Sequence, residues 1–327
     1  MISTLELKQF RGLEHVKFEN LGRANLIIGG NNTGKTSILE ALVLLYGDQN
    51  QITNLPTTFR VQSGKSKDAV SGFWRFLPKF GDPSGLIIDS GEKKVSANSS
   101  PAKWQFVESR DSSNSRVFME VHKNDHLNIP ERISDKAISI ISTKQGDPSA
   151  ISKLFNEIAP LNPQNETKLE ELVCKSIDSR LQRLRYAMPQ GTTTHLVYVD
   201  LGLGSMLPFT QLGQAFARTL EVYCEIFANH PKILLIDEIE NGLYYEGMED
   251  FWKGLMAVLE DQDVQLFATT HSRECMEAAH NAAVAMGGDP LRFLRLDRRV
   301  DDSSKIVATT FGKEEMQTAI EFNREMR

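Results

Sequence analysis

The sequence predicts an α/β fold around a mixed sheet, and two stretches carry that prediction. The first is Gly29-Gly30-Asn31-Asn32-Thr33-Gly34-Lys35-Thr36, which satisfies G-x-x-x-x-G-K-[ST]. The second is Lys232-Ile233-Leu234-Leu235-Ile236-Asp237-Glu238, a buried-strand pattern that ends in two carboxylates.

The glycine-rich stretch lies between the apolar run Ala24-Asn25-Leu26-Ile27-Ile28 and the helix-forming run Ser37 to Tyr46. Strand, loop and helix in that order is the setting of a phosphate-binding loop. Small residues let backbone N–H groups turn inward, and the helix N-terminus adds positive partial charge. Lys35 then reaches the β- and γ-phosphates, and the Thr36 hydroxyl ligates Mg²⁺. The bland alternative, a Gly/Asn-rich turn with a stray Lys-Thr, does not explain the flanks. In the second stretch a parallel strand delivers Asp237 to the metal and Glu238 to a water. Its plain alternative is a buried strand with acidic residues at the solvent end.

Composition restricts the classes. The chain has 327 residues, 40% hydrophobic and 24% charged, ordinary for one large or two smaller globular domains. Its formal net charge of −6 is no nucleic-acid footprint, so any DNA contact needs a local basic patch or a groove formed on dimerisation. The N-terminus has neither basic lead nor signal core, and no apolar run reaches membrane-spanning length. A cytoplasmic location without a membrane partner is the expectation. Cys174, Cys224 and Cys275 are far apart and indicate no disulfide framework or zinc site; Cys224 and Cys275 read as helix-packing residues.

Taken in order, residues 1–30 read as two strands and a turn before the loop. Arg11, at the end of the first strand, is either a nucleotide contact or a solvated edge residue. Residues 47–131 have short apolar runs between turn clusters, which predicts an antiparallel meander, with Phe73-Trp74-Arg75-Phe76-Leu77 docking on it. Arg60, Lys65, Lys67, Arg75 and Lys79 form a loose basic group whose bland reading is a solvated face. The strand at 137–144 ends in Gln145-Gly146, where a Gln can reach a metal or a water. Residues 149–186 predict two helices broken at Pro160 and Pro163, the second running through Leu181 and Leu184, with Arg180, Arg183 and Arg185 at its end. A strand at 195–200 leads to a glycine-punctuated loop, 201–214, that opens a further helix. Val264 to Thr269 predicts a strand ending near His271. The tail adds strands at 292–296 and 306–309 and a helix from Lys313 to Glu325.

In this order the motifs resemble an ABC-type ATPase, closest to the SMC, RecF and OLD (overcoming-lysogenisation-defect) branch. Leu7-Lys8-Gln9-Phe10-Arg11-Gly12-Leu13 looks like the opening Phe-Arg-Gly strand of that branch. Gly29 to Thr36 with Ser37-Ile38-Leu39-Glu40-Ala41 is similar to its phosphate loop. Lys144-Gln145-Gly146-Asp147 resembles its Q-loop, Ile236 to Leu243 its Walker B and D-loop, and Thr269-Thr270-His271-Ser272 its switch histidine. The transporter signature Leu-Ser-Gly-Gly-Gln is absent. Pro208-Phe209-Thr210-Gln211-Leu212-Gly213-Gln214-Ala215 resembles the looser OLD-like loop, with Ala215 replacing its second Gly. Tyr244-Tyr245 stands where the family often has His.

The resemblance implies an ABC-type head: a mixed central sheet with an antiparallel β subdomain and a helical subdomain. Its expected divisions are 1–147, 148–190 without a long coiled coil, and 191–327. The implied cofactors are ATP and Mg²⁺. Arg11, Gly29, Asn31, Asn32, Thr33, Gly34, Lys35, Thr36, Ser37 and Gln145 would hold the nucleotide, with Thr36, Asp237 and Gln145 at the metal. Glu238, His271 and Lys35 would carry the chemistry. Gly213 and Gln214 would serve the nucleotide of a second head in an ATP-sandwiched homodimer or higher oligomer. Too few residues follow Ser272 for the OLD nuclease domain, so the expectation is a standalone head with a separate effector, a nuclease or toxin, and a DNA-linked or anti-phage output. The rival readings are an ATP-dependent assembly module with little turnover and a transporter ATPase subunit.

Overall fold

Strand alternation divides the interior of this protein into two cores on opposite faces of one sheet. The structure is a computed structural model that describes residues 1–60, 73–74, 77–78, 83–110, 114–122, 127–130, 132, 137–144, 146–188, 193–287 and 289–321. Gln145, Lys65, Lys67, Arg75 and Lys79 lie outside the described residues.

The six-stranded central sheet contains β3 (Ala24–Gly29), β9 (Ile138–Ile141), β13 (Ile233–Ile236), β14 (Gln265–Thr269), β15 (Leu291–Arg298) and β16 (Ile306–Phe311). Their order is β16-β15-β3-β14-β13-β9. All neighbours are parallel except β15 and β16. Successive side chains alternate faces. Ile27, Ile233, Leu235 and Phe267 therefore enter one core, and Leu26, Ile28, Leu234, Ile236 and Leu266 the other.

The first core is closed by a seven-stranded antiparallel sheet, β2-β1-β4-β5-β6-β7-β8. Its strands are β1 (Leu5–Phe10), β2 (Leu13–Phe18), β4 (Ile87–Asp89), β5 (Lys94–Ser99), β6 (Lys103–Ser109), β7 (Ser115–His122) and β8 (Leu127–Asn128). The expected meander is thus joined to the N-terminal strands. The helix α1 (Lys35–Tyr46) is buried from Ser37 to Tyr46, as a helix apolar all round must be. Arg132 ties the meander to it, donating to the Leu44 and Leu45 carbonyls at the end of α1 (2.9 and 2.8 Å) and to Glu108 (2.6 Å).

Helices cover the second core: α3 (Pro148–Leu161), α4 (Pro163–Ser176), α5 (Gln214–Asn229), α6 (Tyr245–Asp261) and α7 (Arg273–Met286). Cys224 and Cys275 are buried on α5 and α7, as their helix-packing reading requires. The tail closes with α8 (Lys313–Glu321).

Three expectations need correction. Residues 49–59, expected within the meander region, form α2 (Gln49–Phe59), started by a reciprocal capping box between Asp48 and Gln51. Pro160 does not break α3; it sits in its last turn, where few intrahelical bonds remain to be lost, and Pro163 starts α4. The second helix stops at Ser176, not beyond Leu184. Asp178 accepts from the Arg180 amide and guanidinium and turns the chain. Arg183 and Arg185 then flank buried Leu184 on β10 (Arg183–Ala187), which pairs with β11 (Leu196–Asp200) and, through it, β12 (Leu207–Pro208).

Candidate active site

The phosphate loop joins β3 to α1, and its backbone requires glycine at two points. Gly29 has φ +141°, and a Cβ there would run into the Leu296 carbonyl. Gly34 has φ +99°, and a Cβ there would lie 2.8 Å from Leu13 Cδ2. Thr33 is buried and its hydroxyl donates to the Gly30 carbonyl (2.9 Å), while Asn31 and Asn32 are exposed. Lys35 Nζ donates to the carbonyls of Gly29 (2.8 Å) and Gly30 (3.0 Å). Burial lowers the Lys35 pKa, and Asp237, Glu240 and Glu238 pull it back up.

Parallel register brings the second half of the group beside this loop. The adjacent strands β13 and β14 end level with each other, with Ile236 opposite Ala268. The Thr269 hydroxyl donates to Asp237 Oδ1 (2.6 Å) and accepts from the Glu238 amide (2.8 Å). The Thr36 hydroxyl donates to the same Asp237 oxygen (3.4 Å). Burial raises the Asp237 pKa, against which Thr269, Thr36 and the charge of Arg60 act. Glu238 is half-buried with φ +50°, a left-handed conformation unfavourable for a side chain of its size. His271 is exposed; its amide donates to Glu240 Oε1 (3.1 Å), and its Nδ1 lies 3.4 Å from Glu240 and 3.9 Å from Glu238.

Lys35, Thr36, Asp237, Glu238 and His271 therefore form one group. Arg11 is tied to α1, with its Nη2 buried and unpartnered among the described residues. Its Nε donates to Glu40 Oε2 (2.9 Å), its Nη1 to the Phe73 carbonyl (3.1 Å), and the group stacks 4.0 Å over the Phe73 ring. Gly213 and Gln214 are exposed at the start of α5, with Gln214 against Gly242 of the turn after Asp237-Glu238. Among the described residues no hydrogen bond joins either of them to the phosphate loop.

Sequence reasoning missed several members. Thr269 bridges the two carboxylate residues. Glu40, fully buried on α1, holds both Arg11 and Arg60, and Arg60 also donates to the Ser37 hydroxyl (3.1 Å), so Arg60 belongs to the loop's support as well as to a surface. Arg218 on α5 donates to the carbonyls of Ser142 (3.0 Å) and Asp237 (3.3 Å) and to Glu221 (3.1 Å). Asn241 donates to the Thr143 carbonyl (2.8 Å). The signal for Thr269 was its position at a strand end level with Asp237; no local pattern marks Arg218.

Comparison with known proteins bears on the family and the fold. The family described as "AAA domain, putative AbiEii toxin, Type IV TA system" matches residues 65–277. An ATP/GTP phosphatase of Helicobacter pylori is 22% identical over 325 residues, covering 85% of this chain and 87% of that protein. An uncharacterised protein of Methanocaldococcus jannaschii is 57% identical over 44 residues, 14% of this chain and 20% of that one. Among solved structures, an SMC head bound to the C-winged helix domain of ScpA superposes with a TM-score of 0.53 at 13% identity, covering 97% of this chain and 99% of that one. The SMC head domain of Thermotoga maritima gives a TM-score of 0.50 at 12% identity, covering 94% and 98%. The mixed α/β architecture is that of an SMC head, and the chain belongs to the AAA-domain family named above.

Proposed function

We propose that the chain binds ATP with Mg²⁺ and hydrolyses it. The observation that carries this reading is the convergence of Thr36 and Thr269 on one oxygen of Asp237 beside the phosphate loop. A hydroxyl and a carboxylate at that separation fit Mg²⁺, which takes one or two protein oxygens and completes its shell with phosphates and waters. Among the described residues no cluster of three or more His, Cys, Asp or Glu side chains forms a separate metal cage. Gly29, Asn31, Asn32, Thr33, Gly34, Lys35, Thr36 and Ser37 would hold the phosphates, Thr36, Asp237 and, from the sequence expectation, Gln145 would hold the metal, and Arg11 steadies α1.

Bound nucleotide and metal supply a polarised γ-phosphoryl group. Glu238 orients the attacking water and accepts its proton, His271 serves the γ-phosphate, and Lys35 offsets charge on the phosphates. The Helicobacter relative's description as an ATP/GTP phosphatase supports hydrolysis.

In this reading the head has lobes at 1–147, 148–190 and 191–327 and dimerises around ATP, with exposed Gly213 and Gln214 serving the second head. A separate protein effector completes the system; the ScpA domain bound to the similar SMC head supports a protein partner. A nuclease or toxin effector, DNA sensing and anti-phage defence follow by family analogy. A second reading, ATP-dependent assembly with little turnover, is favoured by Ala215 in place of glycine at the start of α5.

Binding of a fluorescent ATP analogue with Mg²⁺ tests the nucleotide site. Lys35→Ala should weaken it by about 3 kcal/mol, roughly a hundredfold. Equal binding by wild type and variant would remove the phosphate loop from the account. Sizing with and without ATP tests the sandwich, and a monomer under both conditions at high concentration would count against it.

A further inference from the structure

Among the described residues one edge of the central sheet is unpaired, away from the candidate site: β9 has a sheet partner on one side, β13. The Ala137 carbonyl accepts from Ile233 and the Ile141 carbonyl from Asp237. Alternate residues of a strand turn their backbone groups to opposite sides. Residues 137, 139 and 141 thus face β13, and Ile138 and Ile140 direct theirs away from it. Gln51 Nε2 donates to the Ile138 carbonyl (2.7 Å). The Ile138 amide and both backbone groups of Ile140 lie along that side, without a partner among the described residues.

That side is the floor of a groove of about 580 Å³. Asn50, Asn54 and Thr58 on α2 form one wall and Glu225 and Asn229 on α5 the other, with Asp48 at the start of α2. Among the described residues that line it, the wall side chains are amides, hydroxyls and carboxylates, without Lys or Arg. Such a floor and walls suit an extended backbone with polar or basic side chains.

We propose that β9 is a receptor edge, and that an extended, polar-to-basic peptide of a partner protein adds to it as a further strand between α2 and α5. The main-chain ladder supplies affinity, and Asp48 and Glu225 select positive charge. Beyond Ile141 the chain passes at once to Ser142, whose carbonyl receives Arg218, the same side chain that reaches the Asp237 carbonyl. The occupant would thus lie one strand away from the candidate active site. The assignment stands on the edge geometry and is independent of the ATPase reading.

The test selects peptides from a displayed random library on the full chain and measures synthetic copies by fluorescence anisotropy. Ile140→Pro removes an outward amide without touching the pairing with β13. Asn54→Trp fills the groove from an exposed helix position, so it remains informative if the proline variant does not fold. Selected peptides should be rich in Lys or Arg. They should bind each variant at least about tenfold more weakly, and should lose binding when alternate peptide amides are methylated. Failure to select any peptide, or peptides that bind Asn54→Trp as tightly as wild type, would overturn the proposal. Self-association of the chain abolished by Asn54→Trp would overturn it in favour of a second copy as the occupant.

Discussion

Thr269, at the end of β14, donates its hydroxyl to the carboxylate of Asp237, at the end of β13, across 2.6 Å. The same oxygen accepts the Glu238 amide. One hydroxyl therefore fixes both acidic residues, Asp237 and Glu238. Thr269→Val keeps the shape and removes both bonds. It should lower ATP turnover by about ten- to a hundredfold and stability by about 1–3 kcal/mol. Steady-state kinetics beside urea unfolding would check this, and unchanged turnover would show that Asp237 and Glu238 hold their places without the bridge.

Glu238 carries a left-handed backbone, φ +50°, at the point where a water-directing carboxylate is proposed. Glycine is free of that strain. Glu238→Gly should abolish turnover while leaving the protein as stable as wild type or about 1 kcal/mol more stable. A thermal melt that falls markedly would mean that the Glu238 side chain contributes packing instead.

Glu108 joins the antiparallel sheet to α1 through Arg132, with Lys93 (3.0 Å) and Arg116 completing its partners. Burial alone would raise its pKa; Arg132, Lys93 and Arg116 override burial and hold it at about 2. Because the folded value lies below the ordinary 4.5, this contribution is complete above about pH 4.5 and is lost as pH falls toward 2. Glu108→Gln should unfold at lower denaturant by about 3 kcal/mol at neutral pH. It should also show a shallower loss of stability between pH 5 and about 2.5, measured by urea titration at several pH values.

Burial pushes the Cys275 thiol up to about 12 and raises the Cys224 thiol well above its ordinary range, whereas Cys174 is half-buried at the end of α4. A thiol reagent at pH 8 should modify Cys174 in the native protein and all three cysteines only after unfolding. Rapid native labelling of Cys224 or Cys275 would contradict the helix packing described here.

Local patterns made much of this fold legible. Apolar runs of β3 and β13, each followed by a chemically distinctive end, located the heart of the sheet, and turn clusters located the meander. The capping box at Asp48 and Gln51 was equally local but lay in a polar stretch, so α2 went unread. Leu181 and Leu184 continue the apolar spacing of α4, yet the alternation of Arg183, Leu184 and Arg185 belongs to a strand. The links made by Thr269 and Arg218 join strand ends and helices far apart in sequence, and become visible only once parallel register sets them side by side.

The most direct test of the proposed chemistry is ATP turnover by Glu238→Gln, measured together with nucleotide binding. The substitution keeps size and hydrogen-bonding reach and removes the base. Binding of ATP with Mg²⁺ should persist while turnover falls by about a hundredfold or more. Turnover equal to wild type would show that Glu238 is not the catalytic carboxylate and would contradict the account at its centre.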